Sequence, residues 1–308
     1  MQLTHDAFVY ASDDDYLASM VPFVRDGIDD GAAVIAVTVP RNESLLRAAL
    51  GPHADGVTFV DARAWFPRPA TTVATYHSLF MDRLDAGARN IRVIGEVQFG
   101  ASSADHRKWM CYESILNRSF AQLPGWIVCP YDARELAPDV IDSAPRTHPF
   151  VWSGDSRGPS DVYEAPNEYV ARVQPRDDMP TRRPELELAL TDDVVSIRKS
   201  LSEVVVNSGV EDQRRDLFVL ACNELVTNAV VHGGGTGRIR VWVDADGAVC
   251  EVADAGPGLH DTLVGYLPPG SDSQSGRGLW LAHQLCDAVR VNPSAAGGLS
   301  VVISATRG

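Results

Sequence analysis

Three evenly spaced polar residues lie in a largely apolar stretch at positions 217–235. Glu224, Asn228 and His232 follow one another at intervals of four residues. Because an α-helix turns once every 3.6 residues, this spacing places all three in one polar stripe on an otherwise apolar helix. A buried carboxylate or carboxamide is costly without partners. The stripe therefore indicates either a core helix whose polar groups bond to neighbouring backbone or a helix that faces a polar ligand.

Two further stretches contain glycines where a ligand would need close backbone approach. Asp254 ends a strand-like run at 248–253, and Gly256 and Gly258 follow it. Gly276 and Gly278 flank Arg277 at the start of an amphipathic helix. Glycine permits contacts that a Cβ would block, and the free N–H groups of a helix N-terminus attract phosphate. These stretches favour the interpretation in which the helix with Glu224, Asn228 and His232 faces a polar ligand.

With these three motifs in this order, residues 185–308 resemble the GHKL superfamily of histidine kinase-like ATPases. The resemblance is to the anti-sigma-factor serine/threonine kinases of bacteria in particular. It implies that this part of the chain folds as a GHKL (Bergerat) α/β sandwich with a mixed sheet. It also implies that the domain binds ATP and Mg²⁺.

The same resemblance assigns roles to individual residues. Glu224 would be the catalytic general base, and Asn228 would be the Mg²⁺ ligand. Asp254 would accept a hydrogen bond from the adenine amino group. Gly256 and Gly258 would let the backbone come close to the nucleotide. Gly276, Arg277 and Gly278 would belong to the segment that covers the phosphates. The polar stretch 265–275 before this segment looks like a lid.

His232 has two interpretations, since it either lies near the phosphates or packs at the end of its helix. The partners implied by the resemblance are an anti-sigma-factor antagonist of the STAS type, phosphorylated on serine or threonine, and a sigma factor that competes with it. The protein would then regulate transcription by partner switching in response to a signal. The alternative is a non-catalytic ATP-binding sensor and sequestration module. A histidine kinase is disfavoured because residues 188–210 contain no histidine. The resemblance allows a homodimer but does not establish one.

Residues 1–150 alternate strand-like and helix-like segments, a pattern typical of a mainly parallel sheet with helices on both faces. Ligands of such sheets gather at the carboxyl ends of the strands, where Tyr10, Glu96 and 130–132 are expected. A nucleotide-binding version would carry a phosphate loop after the first strand. Asp13, Asp14 and Asp15 stand there instead and would repel a phosphate. We therefore expect no nucleotide hydrolysis in this half.

Short motifs in this half resemble the MEDS sensory domain (methanogen/methylotroph, DcmR-type), which is related to RecA-like ATPases that have lost the phosphate loop. The motifs are His5 with 8–10, then 95–96, 109–113, 129–132 and 147–149. The predicted organisation is a sensory domain at 1–170, a proline-rich linker at 171–184, and the GHKL domain at 185–308. An unknown small-molecule signal would bind the first domain.

His5, Cys129 and His148 could converge as ligands of a metal or a haem, because N and S donors suit transition metals. The structural alternative is that His5 bonds to backbone near a sheet edge, that Cys129 is a buried strand residue, and that His148 ends the domain. Glu96 and Glu113 are interpreted as paired or solvated carboxylates rather than as a catalytic dyad.

The overall composition limits the function classes. The chain has 308 residues and a formal net charge of -14, which argues against a nucleic-acid partner. It contains neither an apolar run of membrane-spanning length nor the pattern of a secretory signal, so a cytoplasmic protein without membrane contact is expected. Its five cysteines lack metal-knuckle or disulfide spacing and are predicted to be reduced core residues.

Overall fold

A computed structural model of the chain describes residues 2–153, 156–174, 179–259, 263–266, 277–294 and 297–307. The chain divides into two compact units, Met1–Pro175 and Arg176–Gly308. Each unit has its own sheet and its own buried core.

The N-terminal unit contains seven strands and seven α-helices among its described residues. The strands are β1 (Thr4–Tyr10), β2 (Ala33–Thr38), β3 (Val57–Asp61), β4 (Ile91–Gly95), β5 (Gly125–Asp132), β6 (Phe150–Ser153) and β7 (Ser156–Pro159). The helices are α1 (Asp13–Asp29), α2 (Pro40–Leu50), α3 (Ala62–Trp65), α4 (Pro69–Asp85), α5 (Ser103–Ser119), α6 (Pro138–Thr147) and α7 (Pro166–Val173), with a 3₁₀ turn at Gly51–Gly56.

Local sequence explains where several of these helices begin. Ser12 and Ser102 precede α1 and α5, and their hydroxyls accept hydrogen bonds from the backbone N–H groups of Asp15 and Asp105. Such caps satisfy N–H groups that have no partner within the helix. Helices α2, α4, α6 and α7 begin with proline, whose fixed φ suits the first helical turn.

The sheet of this unit has the order β3-β2-β4-β5-β1-β6-β7. Every pairing is parallel except that of β6 with β7. Strands β2 and β4 are buried along almost their whole length, as their continuous apolar sequences require in a sheet covered on both faces. The mainly parallel α/β fold predicted from the alternating pattern is confirmed.

Several elements of this unit are absent from the predicted pattern. Residues 153–160 look turn-rich, but 156–159 form the edge strand β7, which pairs with β6. Strand β6 and the helices α3 and α6 were not predicted either; α6 contains Pro145, which obscures its helical pattern. One of the carboxylates that replace a phosphate loop, Asp13, forms ion pairs with both Arg41 and Arg134.

The C-terminal unit contains five strands and three helices among its described residues. In chain order these are β8 (Leu186–Ala189), α8 (Val194–Val205), α9 (Asp212–Val231), β9 (Gly237–Asp244), β10 (Gly247–Asp254), α10 (Arg277–Leu285), β11 (Ala288–Pro293) and β12 (Leu299–Thr306). Asp193 caps α8 through its side chain, which accepts from the backbone N–H of Ser196.

The strands form one sheet in the order β11-β12-β10-β9-β8, and the helices contribute apolar residues to a common core with it. The α/β class is confirmed. The expected mixed sheet is corrected, because all four pairings between described strands are antiparallel. Strand β11 was not anticipated: residues 288–293 are short and end in Asn-Pro, so their pattern alone does not distinguish a strand from a loop.

All five cysteines are buried and free, as predicted. Among the described residues, no helix combines the length and the apolar composition that crossing a lipid bilayer requires.

Candidate functional site

Helix α9 carries the polar stripe recognised in the sequence. Glu224 and Asn228 are half-buried on it, while Cys222, Leu225 and Val226 are buried in the core. The helix ends at His232, whose backbone N–H donates to the carbonyl of Asn228 at 2.8 Å. The stripe therefore lies at the edge of the core, where its polar groups remain accessible to a ligand.

The start of α10 packs directly on Asn228. A β-carbon built on Gly278 would overlap the amide nitrogen of Asn228 and would lie 3.1 Å from its Cγ. No described residue forms a hydrogen bond with this amide. The glycine expected to cover the phosphates thus lies beside the residue expected to ligate Mg²⁺.

Asp254, the last residue of β10, is 8% exposed. Its Oδ1 accepts hydrogen bonds from the backbone N–H groups of Gly256 at 2.9 Å and of Leu299 at 3.1 Å. Within the described part of the chain, no hydrogen bond reaches its Oδ2. A β-carbon on Gly233 would lie 2.6 Å from the Asp254 Cγ. The carboxylate is therefore held in one orientation by backbone, with its second oxygen left as an acceptor.

Asn228 and Asp254 line the same cavity, which has a volume of about 180 Å³. The other lining residues are mostly aliphatic and come from α9, β10, α10, β12 and the loops between them: Leu225, Ala229, His232, Gly233, Val252, Pro257, Gly258, Leu259, Val264, Leu279, Leu299 and Val301. Apolar walls with a few fixed polar groups are typical of a small-molecule site. A planar heteroaromatic ring with an amino group fits this combination of walls and acceptor.

The other predicted site residues have different relations to the cavity. His232, which is exposed, lines the cavity. Gly258, which has φ +74°, lines it too. Glu224, one turn before Asn228 on α9, does not line it and makes no hydrogen bond or ion pair with a described residue. Exposed Arg277 begins α10, whereas Gly276 and the lid residues 267–275 lie outside the described residues.

Gly233, Gly298 and Leu299 also belong to this site, although the sequence did not predict them there. A β-carbon at Gly298 would overlap the Asp254 carboxylate, and Leu299 donates its backbone N–H to it. The glycine run at 233–235 and the pair at 297–298 were the available signals. They are distant from Asp254 in sequence, so only the pairing of β12 with β10 brings them together.

The N-terminal unit has a separate cavity of about 960 Å³ at the carboxyl ends of its parallel strands. Tyr10, Glu96, Pro130 and Asp132 line it, as the strand-end rule predicted. Tyr131 is instead buried in the core. This cavity is where a small-molecule signal would find polar and aromatic groups together.

Glu96 has structural partners in this cavity wall. Its carboxylate accepts from the backbone N–H of Val39 at 2.9 Å and from the side chain of Asn42 at 2.8 Å. Burial raises its pKa, against the opposing effect of these hydrogen bonds. The structure thus agrees with a paired carboxylate, and Glu96 ties the end of β4 to the start of α2.

His5, Cys129 and His148 also come together, and Glu113 joins them. The Cys129 Sγ lies 3.4 Å from both the His5 Nε2 and a Glu113 oxygen. Burial lowers the pKa of His148 well below its usual range and raises that of Cys129, which the nearby Glu113 also raises. The structural alternative for His5 is corrected: β1 lies inside the sheet, and the His5 Nδ1 meets the Asn117 side chain rather than backbone.

The antiparallel sheet, its covering helices and the Asp254 cavity define the C-terminal unit as an α/β domain with a cavity suited to a small molecule. Residues 188–304 match the histidine kinase-like ATPase domain family, and residues 4–149 match the MEDS family, the methanogen/methylotroph DcmR sensory domain. The chain is a fusion of a MEDS sensory domain with a histidine kinase-like ATPase domain. This match supports an ATP-binding, kinase-like module. No curated protein matches the chain.

Proposed function

We propose that the protein is a signal-responsive regulator whose C-terminal unit binds Mg-ATP and phosphorylates a protein partner on serine or threonine. The observation that carries the proposal is the shared cavity of Asp254 and Asn228. These two polar groups come from distant parts of the chain, and each is held beside glycine backbone that leaves no room for a side chain. Such close approach has a clear purpose if a nucleotide lies between them.

Each residue has a distinct task in this site. The free oxygen of Asp254 accepts a hydrogen bond from the adenine amino group, and the aliphatic walls hold the ring. The Asn228 amide oxygen would hold Mg²⁺, a cation that prefers oxygen ligands. The helix dipole and free N–H groups at the start of α10 attract the phosphates. ATP supplies the phosphoryl group and Mg²⁺ neutralises its charge.

Glu224 would act as the general base for the incoming hydroxyl. It lies one helical turn from Asn228, outside the cavity wall, and is bonded to no described residue. A carboxylate that is not already paired can accept a proton once a partner protein delivers its hydroxyl. The partner chemistry that fits is a serine or threonine on an anti-sigma-factor antagonist of the STAS type.

Two binding events would regulate the C-terminal unit. A sigma factor would compete with the antagonist for the C-terminal unit, and a small molecule in the N-terminal cavity would bias that competition. A cytoplasmic location is part of the same proposal. The second candidate function is a sensor and sequestration module that binds ATP without transferring phosphate. The position of Glu224 outside the cavity wall favours this candidate.

Phosphotransfer to candidate antagonist proteins from labelled ATP separates the two functions. The full chain is compared with Glu224→Ala and with Glu203→Ala, a matched change at an exposed glutamate of α8. We expect Glu224→Ala to lower the transfer rate by roughly 10²–10⁴-fold and to keep ATP affinity. Glu203→Ala should behave like the wild type.

Three results would each contradict a part of the proposal. If Glu224→Ala still phosphorylates at the wild-type rate, Glu224 is not the base. If the wild-type chain binds ATP in calorimetry but labels no antagonist, the non-catalytic module is the better description. If ATP and Mg²⁺ give no binding heat at all, both candidates are wrong.

A further inference from the structure

Four side chains with metal-binding atoms meet inside the N-terminal unit. They come from β1, α5, β5 and the residue that ends α6, and we call them the four-residue cluster: His5, Glu113, Cys129 and His148. None is more than 2% exposed. Their ligand atoms all lie within 4.8 Å of one another. Four separate elements of the core thus direct nitrogen, oxygen and sulfur donors to one point.

The outer ring nitrogens show which atoms of the two histidines face this point. The His148 Nδ1 lies 2.9 Å from the carbonyl oxygen of Ala144, which can only accept a hydrogen bond. The His5 Nδ1 lies 3.0 Å from the Asn117 Oδ1, and the Asn117 amide nitrogen donates to the carbonyl of Thr147. Both Nδ1 atoms therefore carry the proton, and both Nε2 atoms present a lone pair to the cluster.

The centre of the cluster consequently has more hydrogen-bond acceptors than donors. Two imidazole lone pairs and the Glu113 carboxylate converge on it, and the Cys129 thiol is the evident donor. Within the described part of the chain, the His148 Nε2 and the Glu113 Oε1 have no hydrogen-bond partner. Buried acceptors without donors cost about 1–3 kcal/mol each. A cation at the centre would bind both Nε2 lone pairs and the Glu113 carboxylate at once.

Four of the six distances between ligand atoms already match tetrahedral coordination, and the two others, both from the His148 Nε2, are within 4.8 Å. Zn²⁺ binds N, O and S ligands at about 2.0–2.3 Å, so neighbouring ligands on a tetrahedron are about 3.3–3.8 Å apart. The Glu113 Oε2 lies 3.3 Å from the His5 Nε2, 3.4 Å from the Cys129 Sγ and 3.6 Å from the His148 Nε2. The His5 Nε2 and the Cys129 Sγ are also 3.4 Å apart.

We propose that the four-residue cluster binds one zinc ion. One thiolate, one carboxylate and two neutral imidazoles balance the charge of Zn²⁺, so the site is neutral in a place where a net charge would be costly. Binding displaces the Cys129 proton to solvent. In metal sites, a hydrogen bond from the ring nitrogen that does not bind the metal orients the imidazole. The Nδ1 atoms of both histidines form such bonds.

This site is independent of the ATP site and does not depend on the proposed kinase function. Because four protein ligands fill it and water is excluded, it is a closed site of the structural kind. The ion joins α5 and the end of α6 to two central strands of the sensory domain. Loss of the ion would loosen the part of the core between these elements. The competing arrangement is a hydrogen-bonded cluster with no metal.

Cobalt substitution distinguishes the two arrangements. The full chain, without an affinity tag and with reduced cysteines, is stripped by a chelator and titrated with Co²⁺. We expect one Co²⁺ per chain, with visible bands of tetrahedral cobalt and a thiolate-to-cobalt band in the near ultraviolet. Zn²⁺ should displace the cobalt and raise the melting temperature of the stripped protein. Absence of both bands at stoichiometric Co²⁺ would overturn the proposal.

Matched variants identify the ligands. Cys129→Ser should abolish the thiolate band, whereas Cys111→Ser, which changes another buried cysteine of the same unit, should retain it. Asn117→Ala, which removes the partner of the His5 Nδ1, should weaken Co²⁺ binding by roughly 10–100-fold. A band that persists in Cys129→Ser, or disappears equally in Cys111→Ser, contradicts the assignment.

A measurement on the wild-type protein completes the test and does not depend on the folding of Cys129→Ser. X-ray absorption at the zinc edge of the reconstituted full chain reports the number of sulfur ligands directly. One sulfur with three nitrogen or oxygen neighbours supports the cluster. A first shell without sulfur rejects it.

Discussion

The amide of Asn228 occupies the space that the β-carbon of any larger residue at position 278 would need. Helix α9 and the start of α10 can therefore meet only because residue 278 is glycine. This contact places the expected Mg²⁺ ligand next to the expected phosphate-binding helix start. The first prediction tests it.

Gly278→Ala should weaken Mg-ATP binding at least tenfold, because the added methyl group displaces the Asn228 amide. Alanine has a helix propensity about 1 kcal/mol better than glycine, but overpacking costs about 1–3 kcal/mol. We therefore expect a small net loss of stability together with the loss of affinity. Calorimetry and thermal melting measure the two effects. Gly158→Ala, where a β-carbon meets open space, is the control.

Asp254→Asn should lower ATP affinity by about tenfold to a hundredfold, the usual range for losing a hydrogen bond to a charged group. The asparagine oxygen can still accept from Gly256 and Leu299, so the fold should persist. Asp246→Asn, in the exposed turn between β9 and β10, should bind ATP like the wild type. Unchanged affinity in Asp254→Asn would remove Asp254 from the adenine site.

His283 on α10 should make the stability of the C-terminal unit depend on pH. Burial lowers its pKa from 6.5 to about 4, and its Nε2 has no hydrogen-bond partner among the described residues. Since the folded state disfavours the protonated ring, its contribution to stability is complete above pH 6.5 and is lost as pH falls towards 4. At 1.36 kcal/mol per pKa unit, the loss is on the order of 3 kcal/mol.

Urea unfolding of the full chain across this pH range measures the His283 contribution. The free energy of unfolding should fall less steeply in His283→Gln than in the wild type, because the variant has no ring to protonate. His232→Gln, at an exposed histidine, should leave the slope unchanged. Parallel pH profiles for wild type and His283→Gln would show that the buried ring does not govern this dependence.

Arg157→Ala should destabilise the N-terminal unit by about 3–5 kcal/mol, since it leaves the carboxylate of Asp6 without its counter-ion in the core. Asp6 is 0% exposed and accepts two hydrogen bonds from the Arg157 guanidinium, at 2.6 and 3.0 Å. Arg63→Ala removes an exposed ion pair with Asp61 and should cost far less, because water screens this pair. Denaturant unfolding compares them, and equal costs would contradict the role of burial.

Much of the fold could be predicted from local patterns. The apolar runs that became β2 and β4 are buried because both faces of a parallel sheet are covered, and their composition shows this directly. Helix α9 was recognisable from its polar stripe and its terminal glycines. The edge strand β7 and strand β11 were missed, because short polar strands are defined by their neighbours rather than by their own composition.

The candidate sites show the same division. The sequence by itself made Glu224, Asn228 and Asp254 candidates through helical spacing and adjacent glycines, which are properties of a continuous stretch of chain. It gave no indication that Leu299 would fix the Asp254 carboxylate or that Glu113 would join His5, Cys129 and His148. Those contacts join residues 16 to 143 positions apart, and no local spacing encodes them. Only the order of strands in each sheet, set by burial of whole elements, brings these groups within bonding distance.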